Sequence, residues 1–198
     1  MSEEAVTGNV VELRMPQGRE NTAQLLELVT IRCLEDIHDA SVAMARIAQE
    51  RGLQVAMCDD ISSKEPMVDA DGTILNADIF RWLDDGARWW EDHRLALHSP
   101  LPRACRYESE PFWANRHGFH GYWRNSYLDD MDIVDFERRA LCKAAIVIPV
   151  HLPFGQISAN SFISMDRDKE DLAAEFAEYG NLLGQLTRRF VAGYVQAH

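Results

Sequence analysis

Apolar residues recur at two spacings along this chain, and the change from one spacing to the other divides it into elements. From Thr22 to Arg51 the positions Leu26, Val29, Cys33, Ile37, Ala40, Met44 and Ile47 step by three and four, which lines one face of a helix, and Gly52 follows as a stop. The spacing predicts one long amphipathic helix. Leu53–Cys58 is too short for a stable helix and reads as a strand, whereas Asp59–Asn76, holding Pro66 and Asp71-Gly72, reads as a loop or loose hairpin. Asn76 or Asp78 is placed to cap a second helix running to Leu97, where Ser99-Pro100 ends it because the residue before proline avoids helical geometry. Two adjacent stripes follow from that spacing. One is Phe80, Leu83, Ala87, Trp90 and Leu97; its neighbour is Ile79, Trp82, Gly86, Trp89 and His93.

The stretch 144–164 has a different rhythm. Ala144 to Val150 is a short apolar run rich in β-branched residues, read as a buried strand. Pro153-Phe154-Gly155 supplies turn chemistry. Gln156–Ser164 returns with Ile157, Ala159, Ser161 and Ile163 on one side and Ser158, Asn160 and Phe162 on the other, which makes the pair a hairpin. Asp129–Leu141 leads into it as a helix with Ile133, Phe136 and Ala140 inward. A last helix is predicted from Asp168 to the end of the sequence, its stripe being Leu172, Phe176, Tyr179, Leu183, Leu186, Phe190 and Tyr194. Residues 1–20 are polar and broken by Pro16 and Gly18, an N-terminal arm, and 21–198 are expected to form a single domain.

Composition narrows the function classes. With 198 residues and 46% hydrophobic content the chain supports one substantial core. Twenty Lys and Arg against 32 Asp and Glu give a net charge of −12, which speaks against direct DNA binding, because phosphate binding needs clustered positive charge. Cys33, Cys58, Cys105 and Cys142 stand apart with no metal-ligand spacing, so reduced thiols, no metal and a cytoplasmic location are expected. No basic leader with an apolar core and no run near 18 apolar residues is present, so neither a signal peptide nor a membrane span is expected.

Candidate chemistry is concentrated between residues 82 and 124. The tryptophans of the second helix with Gly86 among them leave two readings open, a packed core or the wall of a cavity for an apolar ligand. Beyond Pro102 come Glu108, Glu110, Phe112-Trp113 and the run Asn115-Arg116-His117-Gly118-Phe119-His120-Gly121-Tyr122-Trp123-Arg124. Glycines at 118 and 121 argue against a helix there, so a surface or pocket-lid loop is expected rather than a metal site on His117 and His120.

Taken in order, the Trp-rich helix, Ser99-Pro100-Leu101-Pro102-Arg103-Ala104, Pro111-Phe112-Trp113, Ile148-Pro149-Val150-His151, Phe154-Gly155-Gln156-Ile157 and Ser161-Phe162 resemble the autoinducer-binding domain of LuxR-type quorum-sensing regulators across residues 22 to 195. The resemblance implies a GAF-like α/β/α sandwich with a central antiparallel sheet flanked by helices, and an acyl-homoserine lactone or similar molecule held between the sheet and one helix layer. It also implies Trp113 as a pocket tryptophan. Where the family places an Asp that accepts from the ligand amide, this chain has Ser99; the family's helical Tyr falls on Trp90 and its helical Trp on Gly86. The sequence ends where the family's DNA-binding helix-turn-helix would begin.

The expected function is therefore a small-molecule-binding domain without a DNA-binding output, holding an amphipathic or aromatic ligand with Trp82, Gly86, Trp89, Trp90, Ser99, Trp113 and Tyr122, and using no cofactor. One alternative is an enzyme using the same pocket on an aromatic substrate, with His93, His117 or His120 as base near Glu108 or Glu110. Another is a partner protein that blocks a full-length LuxR-type regulator. A homodimer or heterodimer through the C-terminal helix is expected, because its stripe is larger than one sheet covers.

Overall fold

In the computed structural model of the chain, the structure describes residues 21–63, 65–82 and 98–198. Five strands form one antiparallel sheet: β1 (Leu53–Cys58), β2 (Phe112–Asn115), β3 (Gly118–Gly121), β4 (Ala144–His151) and β5 (Ile157–Ser164), in the spatial order β1-β5-β4-β2-β3. The hairpin of β4 and β5 sits at the centre of the sheet. Its two faces carry separate cores, which makes the molecule an α/β sandwich with a central antiparallel sheet.

On one face, Val55, Met57, Ile146, Ile148 and Phe162 are covered by α1 (Thr22–Leu28), α2 (Asp36–Gln49) and the long C-terminal helix. On the other, Ala56, Phe112, Ala114, Ala145, Val147, Ala159 and Ile163 are covered by three short helices, α3 (Pro100–Ala104), α4 (Ser126–Asp129) and α5 (Phe136–Ala140), which bring in Leu101, Leu128, Phe136 and Ala140. Each fully buried Phe or Ile contributes roughly 1.5–3 kcal/mol through the water it leaves. The outer edge of β1 is occupied by a side chain: Asn76 accepts from the Met57 N–H at 2.9 Å and donates to the Met57 carbonyl at 2.7 Å, as a neighbouring strand would.

The sequence reading needs correction at several elements, and where a helix is shorter than expected polar side chains capture backbone groups that a longer helix would use. The helix expected over 22–51 is two helices. Between them the Asp36 carboxylate accepts from the N–H groups of Arg32 (2.8 Å) and Cys33 (3.3 Å) and turns the chain. The helix expected over 129–141 shrinks to α5, α4 ending at Asp129, with Asp132 accepting from the Val134 N–H at 2.9 Å and Asp135 in a left-handed conformation, φ 55°. The C-terminal helix, α6, starts at Ala173 rather than Asp168, its first N–H held by Asp171 at 2.7 Å. The glycine-flanked run after Trp113 is no loop but the tight hairpin of β2 and β3, which Gly118 permits with φ 138°. Leu75–Ile79 forms a single wide helical turn; Gly86, Trp89, Trp90 and His93 fall in 83–97, outside the described residues.

The apolar stripe of the C-terminal helix, the ground for expecting a dimer through it, is covered within the chain. Leu183, Leu186, Phe190 and Val191 of α6 are all fully buried against the chain's own sheet and α1. A helix of 25 residues looked too long for one sheet, but α1 and α2 extend the surface it packs on. No described helix is long and apolar enough to cross a membrane.

Candidate functional site

A pocket opens between the sheet and the short-helix layer. Its floor is made by Ala56 and Cys58 of β1 and Ala159 and Ser161 of β5; its walls are Trp82, Ser99, Leu101, Pro102, Arg139, Ala140 and Leu141. Small side chains at the floor create the space. Ala56 and Val147 pair with Ser161 across the strands, so the Ser161 hydroxyl rises between them on the pocket side. The pocket is partly open to solvent, and the space it offers is about 40 Å³. That is room for roughly three water-sized groups, one of which needs about 10–15 Å³. A ligand larger than a few heavy atoms must displace a wall or protrude.

The walls are held from behind. Trp82 is positioned through its backbone: its N–H donates to the Asn76 carbonyl at 3.3 Å, and Arg167 donates to its carbonyl at 3.0 Å. Arg167 also reaches the Gln54 amide oxygen at 2.9 Å, and the Gln54 amide in turn donates to the Arg81 carbonyl at 2.7 Å, which pins the segment to β1. On the opposite wall, Arg139 donates from Nε to the His98 carbonyl (2.9 Å) and from Nη1 to Asp132 (2.8 Å) and the Val134 carbonyl (2.8 Å). Two residues next to or in the walls, Arg81 (φ 49°) and Leu141 (φ 59°), adopt left-handed backbone that costs non-glycine residues of order 1–3 kcal/mol. Such strain persists only where the surroundings impose it.

The polar groups of the pocket are few. Cys58 donates to the Ala159 carbonyl at 3.5 Å, and burial pushes its thiol up to about 12, so it is a neutral, poorly nucleophilic group. Ser161 is buried at 7% exposure, yet its hydroxyl has no hydrogen-bond partner among the described residues. Ser99 precedes α3 without capping it through its side chain. Two hydroxyls therefore face the cavity unengaged.

The predicted site residues divide. Trp82 and Ser99 line the pocket. Trp113 does not: it pairs with Ile146 and packs against the core of the long-helix face, its ring stacked on His120 with centroids 4.2 Å apart. Its neighbour Phe112 is the aromatic that faces the pocket side. Tyr122 reaches past the sheet edge to Phe176 of α6, centroids 4.8 Å apart. Sequence reasoning missed Ser161 and Arg139. Ser161 was legible as one of the alternating residues of β5 that share a face with Ala159; nothing local marked Arg139.

Of the enzyme alternative's residues, His117, His120, Glu108 and Glu110 do not line this pocket, and His93 lies outside the described residues. His117 and His120 are exposed on the β2–β3 hairpin. Glu108 accepts from the N–H groups of Ser109 (2.9 Å) and Glu110 (3.0 Å) and from the Asn125 amide (3.0 Å), which makes it a turn-holding carboxylate. Glu110 pairs with Arg188 at 3.2 Å. His120 and Glu108 share only an open cleft of about 390 Å³ at the sheet edge, where Arg124 and Asp129 are paired as well. Among the described residues no group of three His, Cys, Asp or Glu side chains is placed to hold a metal ion.

No protein-family model matches the chain, and comparison with curated proteins finds no match. The fold and the site thus define an α/β sandwich with a narrow, largely apolar pocket on the short-helix face of its sheet.

Proposed function

We propose that the chain is a small-molecule-binding domain of the kind found in LuxR-type regulators, binding its ligand on the short-helix face of the sheet. One observation carries this reading: a Ser161 hydroxyl that makes no hydrogen bond among the described residues lines a pocket whose other floor residues, Ala56, Cys58 and Ala159, are small. A hydroxyl not engaged by the protein is free to bond a ligand that enters the pocket. The strained backbone at Arg81 and Leu141 supports the same place, since strain of this kind concentrates at ligand clamps. A net charge of −12 and four free cysteines suit a cytoplasmic domain that does not itself touch DNA.

A panel of acyl-homoserine lactones, aromatic acids and small apolar alcohols tests the reading by tryptophan fluorescence and thermal shift, with Trp82 as the reporting wall. At least one class raises the melting temperature. Ala159→Val, which puts two more carbons into a cavity of about 40 Å³, abolishes that effect. Because Ser99 lacks the acceptor that pairs with a ligand amide, ordinary acyl-homoserine lactones bind about tenfold or more weakly than to a Ser99→Asp variant. A panel without any shift, or a shift untouched by Ala159→Val, removes the pocket from consideration.

A further inference from the structure

The chemistry of the pocket's polar groups goes one step further than its existence. Among the described lining residues only Arg139 carries a charge, and none of them is acidic. The Arg139 side chain is 14% exposed. Its Nε and Nη1 donors are engaged by the His98 carbonyl, Asp132 and the Val134 carbonyl, and its Nη2 donors have no partner among the described residues. The compensating carboxylate of Asp132 is 57% exposed, so water screens it more than it screens the guanidinium. Ser99 and Ser161 add two hydroxyls that are free to donate. Every unengaged polar hydrogen around the cavity thus seeks an acceptor, beside a positive charge in an apolar setting.

We propose that the pocket takes a small carboxylate: a short aliphatic or aromatic acid whose head group binds Arg139, Ser161 and Ser99 and whose apolar body lies over Ala56 and Ala159. This rests on the pocket reading above. A carboxylate accepts charge-assisted bonds from a guanidinium that are about twice as strong as those of a neutral amide, and its planar pair of oxygens suits a fork of N–H donors. A neutral amide brings its own N–H, for which the described lining offers only the Ser99 and Ser161 hydroxyl oxygens, and it brings no charge to meet the guanidinium. The ligand class is therefore opposite in polarity to one recognised by an Asp.

Matched pairs decide it: butyrate against butyramide and benzoate against benzamide, titrated into the full chain at pH 7, with indole and toluene as probes that lack a head group. The acid of each pair binds about tenfold tighter than its amide. Arg139→Gln erases that preference, but it also loosens the His98 and Val134 contacts and endangers folding. Asp132→Asn serves as the second variant, lying on an exposed loop outside the pocket lining; it strengthens acid binding about threefold and leaves amide binding unchanged. Amides bound as well as acids, or Asp132→Asn without a differential effect, overturn the carboxylate assignment. If indole or toluene binds and neither head-group series does, the pocket stands and the assignment falls. If no probe binds, both fall.

Discussion

Gly193 of α6 faces Ile31 so closely that a β-carbon built on it would lie 2.6 Å from the Ile31 carbonyl oxygen and 2.9 Å from the Ile31 β-carbon. Hydrogen in place of a side chain is what lets the turn between α1 and α2 lie on the C-terminal helix. Gly193→Ala should gain about 1 kcal/mol of helix propensity and lose more by pushing a backbone carbonyl away. A net destabilisation of about 1–2 kcal/mol in urea unfolding is expected; an equally stable variant would mean the two elements do not meet this closely.

Leu183 is fully buried under the sheet. Leu183→Asp places an unpaired charge there, so it should unfold the chain, costing about 4 kcal/mol or more, rather than convert a dimer into a folded monomer. Leu183→Met should cost less than about 1.5 kcal/mol. Circular dichroism and light scattering separate the two outcomes, and a folded, monomeric Leu183→Asp protein would contradict the packing of α6.

Asp69 should govern part of the acid sensitivity. Burial pushes its carboxyl up, but hydrogen bonds from His38 (2.8 Å), the Thr73 N–H (2.8 Å) and the Asp71 N–H (3.0 Å) together overrule it and hold it below the ordinary carboxylate range. A group depressed in the folded state contributes stability that is present above its unfolded pKa, near 3.9, and lost as pH falls through the lower folded value. Wild type should therefore exceed Asp69→Asn in stability at pH 6, with the gap closing below about pH 4. Parallel urea curves that keep the same gap at pH 3 would show that the carboxylate plays no such part.

Native alkylation should sort the four cysteines. Cys33 is exposed, whereas Cys105 is buried and burial pushes Cys58 and Cys142 up to about 12. At pH 8 iodoacetamide should label Cys33 within minutes and the other three only after unfolding, as read by peptide mass spectrometry. Rapid native labelling of Cys58 would mean that the pocket opens widely on that time scale.

What the sequence determined by itself is what depends on near neighbours. Strand β1 matched the prediction at both ends, the turn at Pro153–Gly155 fell where expected, and the alternation along β5 put Ala159 and Ser161 on one face, because a strand's period of two is a local property. The tertiary structure decided which face anything meets. Phe112 and Trp113 are adjacent aromatics, and only the pairing of β2 with β4, Phe112 to Val147 and Trp113 to Ile146, sent the phenylalanine to the pocket side and the tryptophan to the other core. The stripe of α6 was visible, but what covers it was not, since its cover comes from α1 and the sheet. Arg139 reaches His98 across 41 residues of chain. No periodicity records a contact of that separation; it arises when folding closes the loops between distant segments, and with it a charge is placed in the pocket wall.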